Sequence, residues 1–211
     1  MRPPIDYLNY YYRTLEKQKQ QHIVIDGQFW TTADQLQTKL KEANSSGKSP
    51  IEFFGLDKLA QSLAEKMEMF LRKDHQIHLI GHSIGGCVAM ILAQILQSKK
   101  MKVPEVITYG QPNIFPTIIP KKTQVLRVVN PQDHVTQIFP GVKEVGQRLT
   151  LLQEGHYCYE REPTEKESVA IDSLSESRLG YNHMNYYVRF FQTKSKSVAV
   201  SPANMADHIP E

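Results

Sequence analysis

The sequence predicts an α/β fold, with a mostly parallel central sheet covered by helices on both faces. Three observations carry this. Short apolar segments recur at HIVID (22–26), QIHLIG (76–81), VPEVITYG (103–110), TQVLRVVN (123–130) and QRLTLL (147–152), each of strand length and rich in Val, Ile or Leu. Helical patterns separate several of them, and strands apolar throughout that alternate with amphipathic helices build parallel sheets buried on both faces. A length of 211 residues suits one sizeable core.

In chain order, Ile5, Leu8, Tyr12 and Leu15 recur at helical spacing, so a short amphipathic helix is expected to open the chain. The strand HIVID ends at Gly27. In QFWTTADQLQTKLKEANSSGKSP, Leu36 and Leu40 lie four apart before a Ser-Ser-Gly breaker, which suits a surface helix followed by a loop. Leu56, Leu59, Ala60, Leu63, Met67, Phe70 and Leu71 mark a firm amphipathic helix ending near Arg72. Val88, Ile91, Leu92, Ile95 and Leu96 give a second helix after QIHLIG. Residues 159–180 read as a charged connection. A single domain is expected over 1–193, with 194–211 as a loose tail.

Composition excludes some functions. The net charge of +3 comes from 25 basic and 22 acidic residues mixed along the chain, without the concentrated basic face that nucleic-acid binding needs. MRPPIDYLNYYYRTLEKQ has no apolar core of signal-peptide length, and no later stretch approaches a membrane span, so the expectation is a soluble protein. Export by a signal-independent route would leave no trace. Cys87 and Cys158 form neither a disulfide framework nor a zinc spacing, and two thiols suit a reducing compartment. No metal or cofactor is implied.

Chemistry is concentrated in IHLIGHSIGG. Gly81, Ser83 and Gly85 make a G-x-S-x-G pattern where a buried strand gives way to a helix, which is the setting of a nucleophile elbow. A sharp turn there holds serine in a strained conformation and lifts its hydroxyl above the sheet edge, while the glycines let strand and helix approach. The N–H of Ile84, at the helix N-terminus, is then available to an oxyanion. The plainer alternative is a glycine-rich turn whose serine caps the helix.

A serine hydroxyl needs a base, and the base needs a carboxylate, in the chain order Ser, acid, His. Asp133 follows a β-branched strand in RVVNPQDHV, whereas its competitor Asp172 follows no strand. His134, His156, His183 and His208 all follow Ser83. His134 adjoins the acid, His156 reads as a surface residue and His208 lies in the expected tail. His183, in GYNHMNYYVRFF, opens a helix-like stretch about 50 residues beyond the acid and is the expected base.

With these residues in hand, the chain resembles the class 3 lipases, which include the fungal triacylglycerol lipases. GHSIGGCVAMILA is similar to that family's nucleophile segment, VITYGQPNIF to its next strand and turn, LRVVNPQDHVTQIFP to its acid loop, and KEVGQRLTL to the strand that follows. NHMNYY matches a histidine followed three residues later by tyrosine, here Tyr186. The resemblance spans about Ile23 to Phe191 and implies an α/β-hydrolase fold with Ser83, Asp133 and His183 as nucleophile, acid and base.

One landmark departs. The family's Arg-Gly-Ser/Thr triplet, source of an oxyanion donor, stands here as Asp26, Gly27 and Gln28. The backbone N–H of Gln28 can still serve, because such a donor needs no particular side chain, but the reinforcing hydroxyl is missing. The resemblance also implies a lid after the triplet, with Phe29 and Trp30 as apolar anchors for acyl chains or a lipid interface; a core aromatic pair is the alternative. The chain is shorter than typical fungal members, so one or two edge strands are expected to be absent. Hydrolysis of carboxylic esters, lipid esters above all, is the expected function. The rivals are a lipase-like scaffold without turnover, and a phospholipase or thioesterase using the same three residues. Oligomeric state, acyl length and head group are not legible.

Overall fold

The computed structural model describes residues 9–27, 38–39, 41–43, 45–113, 122–137, 145–152, 156–160, 183, 185–187 and 198–200. They build one eight-stranded sheet, in the order β1 to β8, from β1 (Asn9–Leu15), β2 (Gln20–Asp26), β3 (Gln76–His82), β4 (Lys102–Tyr109), β5 (Gln124–Val129), β6 (Gln147–Leu151), β7 (His156–Glu160) and β8 (Val198–Val200). Strands β2 to β6 are all parallel. Antiparallel pairs flank them, β1 on β2 and β7 on β6, and β8 runs parallel to β7. The helices are α1 (Pro50–Phe54), α2 (Leu56–Met67) and α3 (Ile84–Ser98).

Three expectations are corrected. The opening amphipathic helix is not formed over its described part: Asn9–Leu15 is an edge strand registered against Gln20–Asp26. The run of Tyr residues with Thr14 favours a pleated surface, and a neighbouring apolar strand decides between the two periodicities. The tail reading fails at Val198–Val200, which adds β8 beside His156–Cys158. Finally, α2 stops at Met67 rather than near Arg72, because the chain turns back, with the Phe70 N–H donating to the Met67 carbonyl at 2.8 Å. Gln21 fixes that turn by donating to the Phe70 carbonyl and accepting from the Arg72 N–H, each at 2.9 Å. Helical backbone at 38–39, 41–43 and 45 agrees with the expected surface helix, of which Leu36 and Leu40 lie outside the described residues.

Two apolar clusters lie against the sheet. In the larger, Ile23, Ile25, Ile77, Leu79 and Val106 pack with Leu56, Leu59, Leu63 and Met67 of α2 and with Val88, Leu92 and Leu96 of α3. Burying each such Val, Leu or Ile contributes about 1.5–3 kcal/mol. In the smaller cluster Val128, Leu151 and Tyr187 meet Ile107, Tyr109, Leu126 and Leu149. Side chains alternate along each strand, so Ile107 and Tyr109 point to the face opposite Val106, and the smaller cluster lies across the sheet from α3. No helix among the described residues is long and apolar enough to cross a membrane.

Cys87 lies wholly inside the larger cluster, where burial pushes its thiol pKa up to about 12. Iodoacetamide at pH 8 is therefore expected to leave Cys87 unmodified in the folded protein and to alkylate it after denaturation. Peptide mass spectrometry reads both states, and rapid labelling of the native chain at Cys87 would contradict the packing.

Candidate functional site

The site begins at the end of β3. Ser83 follows its last residue and precedes the first residue of α3, with φ 54° and ψ −129°, a combination that costs a non-glycine residue of order 1–3 kcal/mol. Backbone bonds hold it: the Ser83 N–H donates to the Tyr109 carbonyl at 2.8 Å, and the Ser83 carbonyl accepts from the Gly86 N–H at 3.0 Å. A Cβ on Gly81 would sit 2.5 Å from the Gly85 oxygen, and one on Gly85 2.3 Å from the Ile25 oxygen. Both glycines of the pattern are thus required by backbone crossing backbone.

Asp133 comes from the loop after β5, whose turn is closed by the Asp133 N–H donating to the Asn130 carbonyl at 2.9 Å. His183 comes from a helical turn on the sheet face opposite α3. The structure brings both to Ser83. His183 Nδ1 lies 3.0 Å from each carboxylate oxygen of Asp133, and His183 Nε2 lies 2.7 Å from Ser83 Oγ. An ionised carboxylate only accepts, so Nδ1 carries the proton, and the bare Nε2 accepts from the serine hydroxyl. All three are buried, at 4%, 0% and 2% exposure for Ser83, Asp133 and His183.

The buried carboxylate has further donors. Tyr187 donates its hydroxyl to Asp133 Oδ2 at 2.6 Å and accepts from the Asn130 N–H at 3.1 Å, and the Val135 N–H donates to Oδ1 at 3.2 Å. Burial first, and the Asp133 charge second, hold the Tyr187 phenol well above its ordinary pKa, so it stays a donor. Gly110, at φ 58°, lies directly beneath: a Cβ there would be 2.8 Å from Asp133 Oδ2 and 3.2 Å from His183 Cε1.

Ile84 is the first residue of α3, so its N–H has no acceptor within the helix, while its side chain is buried in the larger cluster. Gly27 approaches this point closely, since a Cβ on it would fall 2.8 Å from the Ile84 nitrogen. Gln28, Phe29 and Trp30 lie outside the described residues. Among the described residues no group of three or more His, Cys, Asp or Glu side chains could hold a metal ion.

Sequence reasoning missed two residues here. Tyr187 stands four after His183, which places both on one side of a helical turn, and that spacing was the available signal. Tyr186, three after His183, instead donates to the Leu152 carbonyl at 3.2 Å. His82, an x position of the G-x-S-x-G pattern, is the other: its ring contacts both Asp26 and the backbone of His183.

A parallel sheet with a strained serine at a strand-to-helix turn, met by an acid from a later strand end and by a histidine from a helical turn, defines the α/β-hydrolase class. The profile of the family described as Lipase (class 3) matches residues 27–143, more than half of the chain, and the chain belongs to that family. Solved lipases share the fold. The lipase of Rhizopus microsporus var. chinensis is 17% identical with a TM-score of 0.55, covering 85% of this chain and 69% of its own. Lip2 lipase of Yarrowia lipolytica is 17% identical with a TM-score of 0.51, covering 93% and 78%. A fungal lipase–inhibitor complex, described as a model for interfacial activation in lipases, is 16% identical with a TM-score of 0.54, covering 85% and 76%. No match is found among curated proteins.

Proposed function

We propose that this chain hydrolyses carboxylic esters of lipids through an acyl-enzyme on Ser83. The observation that carries the reading is the unbroken chain of bonds from Ser83 Oγ to His183 Nε2 at 2.7 Å and from His183 Nδ1 to Asp133 at 3.0 Å. His183 takes the serine proton as Oγ attacks the ester carbonyl, and Asp133 fixes the tautomer and stabilises the imidazolium. The tetrahedral oxyanion sits against the Ile84 N–H and, in this reading, the Gln28 N–H. His183 then protonates the departing alcohol, and water, activated by the same base, releases the acid.

Family membership favours lipid esters over other acyl substrates. A lid bearing Phe29 and Trp30, with transient contact to a lipid interface, belongs to the same reading. So does a single domain, its sheet now extended to residue 200.

Labelling with a fluorophosphonate tests the proposal, because only an activated serine reacts fast. The wild-type chain is expected to be labelled at Ser83 and His183→Ala to remain unlabelled. An unreactive wild-type serine would favour a lipase-like scaffold. A phospholipase or thioesterase would label equally and is told apart by hydrolysis of glycerides against phospholipids and thioesters.

A further inference from the structure

His82 occupies a position that the hydrolytic reading leaves without a task. It is the last residue of β3, in register with Asp26 of β2 and Tyr109 of β4. Its Nδ1 lies 3.5 Å from Asp26 Oδ1, and its Nε2 lies 2.9 Å from the carbonyl oxygen of His183. Both partners are acceptors. A neutral imidazole has one N–H and one lone pair, so it satisfies one of them and turns a lone pair on the other; only the imidazolium donates to both.

The groups around the ring support the charge. Asp26 faces it from β2, and Asp133 adds its carboxylate from the loop after β5. The His183 ring lies 5.2 Å away and that of Tyr187 6.2 Å away, the latter a phenol kept protonated by burial. Tyr109, beside it on β4, is likewise held protonated by burial and then by Glu105. Burial alone would drive His82 towards its neutral form; Asp26, the His183 carbonyl and Asp133 outweigh it and raise the pKa above 6.5. The bridge is therefore complete below the ordinary histidine range and is lost as pH rises through the raised value.

The placement gives the bridge a consequence. The carbonyl of His82 accepts from the Gly27 N–H at 3.2 Å, so one residue holds the start of the Gly27–Gln28 segment through its backbone and the backbone of His183 through its ring. We propose that His82 is a positioning residue for the reaction, its imidazolium tying the Asp26 carboxylate to the His183 carbonyl and so fixing His183 over Ser83. This rests on the hydrolase reading.

The test follows the rate constant for fluorophosphonate labelling of Ser83 against pH in wild type, His82→Asn and Asp26→Asn. Ring nitrogen NMR of His82, recorded with and without Asp26→Asn in a Ser83→Ala background, needs no turnover. Asp26→Asn is the informative change, because an amide can donate to a neutral Nδ1 while Nε2–H still donates to His183, leaving a bridge without charge.

Wild type is expected to lose about tenfold in rate along an alkaline limb as His183 loosens. Asp26→Asn should lack that limb and titrate His82 at lower pH, and His82→Asn should be slow throughout. An identical alkaline limb in all three proteins, or a His82 titration that Asp26→Asn leaves in place, overturns the proposal. Equal labelling of Ser83→Ala would instead overturn the hydrolase reading, while the NMR titration still reports on the bridge.

Discussion

Ser83→Ala is expected to lower kcat for ester hydrolysis by about 10⁶-fold with KM little changed, leaving about 10³-fold over water from oxyanion donors and binding. The magnitude follows from what the hydroxyl does. On the proposed mechanism, the hydroxyl makes the 2.7 Å bond to His183 Nε2 in the ground state, which adds little to substrate binding, and its oxygen forms the new bond in the transition state. Deleting it therefore acts on kcat. Steady-state hydrolysis of short- and long-chain acyl nitrophenyl esters by wild type and variant measures the ratio. Comparable turnover by both would end the assignment of Ser83 as nucleophile.

Gly110→Ala is expected to lower kcat by up to about 10²-fold, although Gly110 carries no side chain. Two effects add. At φ 58° an alanine pays about 1–2 kcal/mol in backbone strain, and its Cβ would stand 2.8 Å from Asp133 Oδ2 and 3.0 Å from the Tyr187 ring. The carboxylate must move, and His183 with it, by a few tenths of an ångström or more. Misplacement approaching 1 Å costs about 10²-fold in kcat. Gly47 supplies the control: its φ is 67°, but a Cβ there meets nothing within 4 Å. Gly47→Ala should therefore lose the backbone term alone, about 2–4 °C in Tm per kcal/mol, with kcat intact. If both variants kept wild-type kcat, the close packing beneath the triad would have no mechanical importance.

The parallel centre of the fold was legible because β2 to β6 carry their own signal, apolar runs separated in part by amphipathic helices. The margins were not. Asn9–Leu15 has residues at both helical and strand spacing, and its pairing with β2 chose between them; Val198–Val200 is three residues long and gains its identity only from β7, about 40 residues away. Likewise the candidates Ser83, Asp133 and His183 stood out by motif and order, the first two each following a recognisable strand, and their side chains meet in the structure. Tyr187 and His82 meet partners 54 and 101 residues away at 2.6 and 2.9 Å; the four-residue step from His183 is a trace of the first meeting, and no spacing along the chain encodes the second.

The two apolar clusters divide the machinery between them. Ser83 stands at the head of α3, whose buried face belongs to the larger cluster, whereas Tyr187, which bonds the Asp133 carboxylate and stands four residues after His183, belongs to the smaller one across the sheet. Such clusters open with different free energies. On the proposed mechanism, a local opening of the smaller cluster would disarm the site without melting of the whole sheet, drawing His183 away from Ser83 while the turn at the head of α3 stays folded.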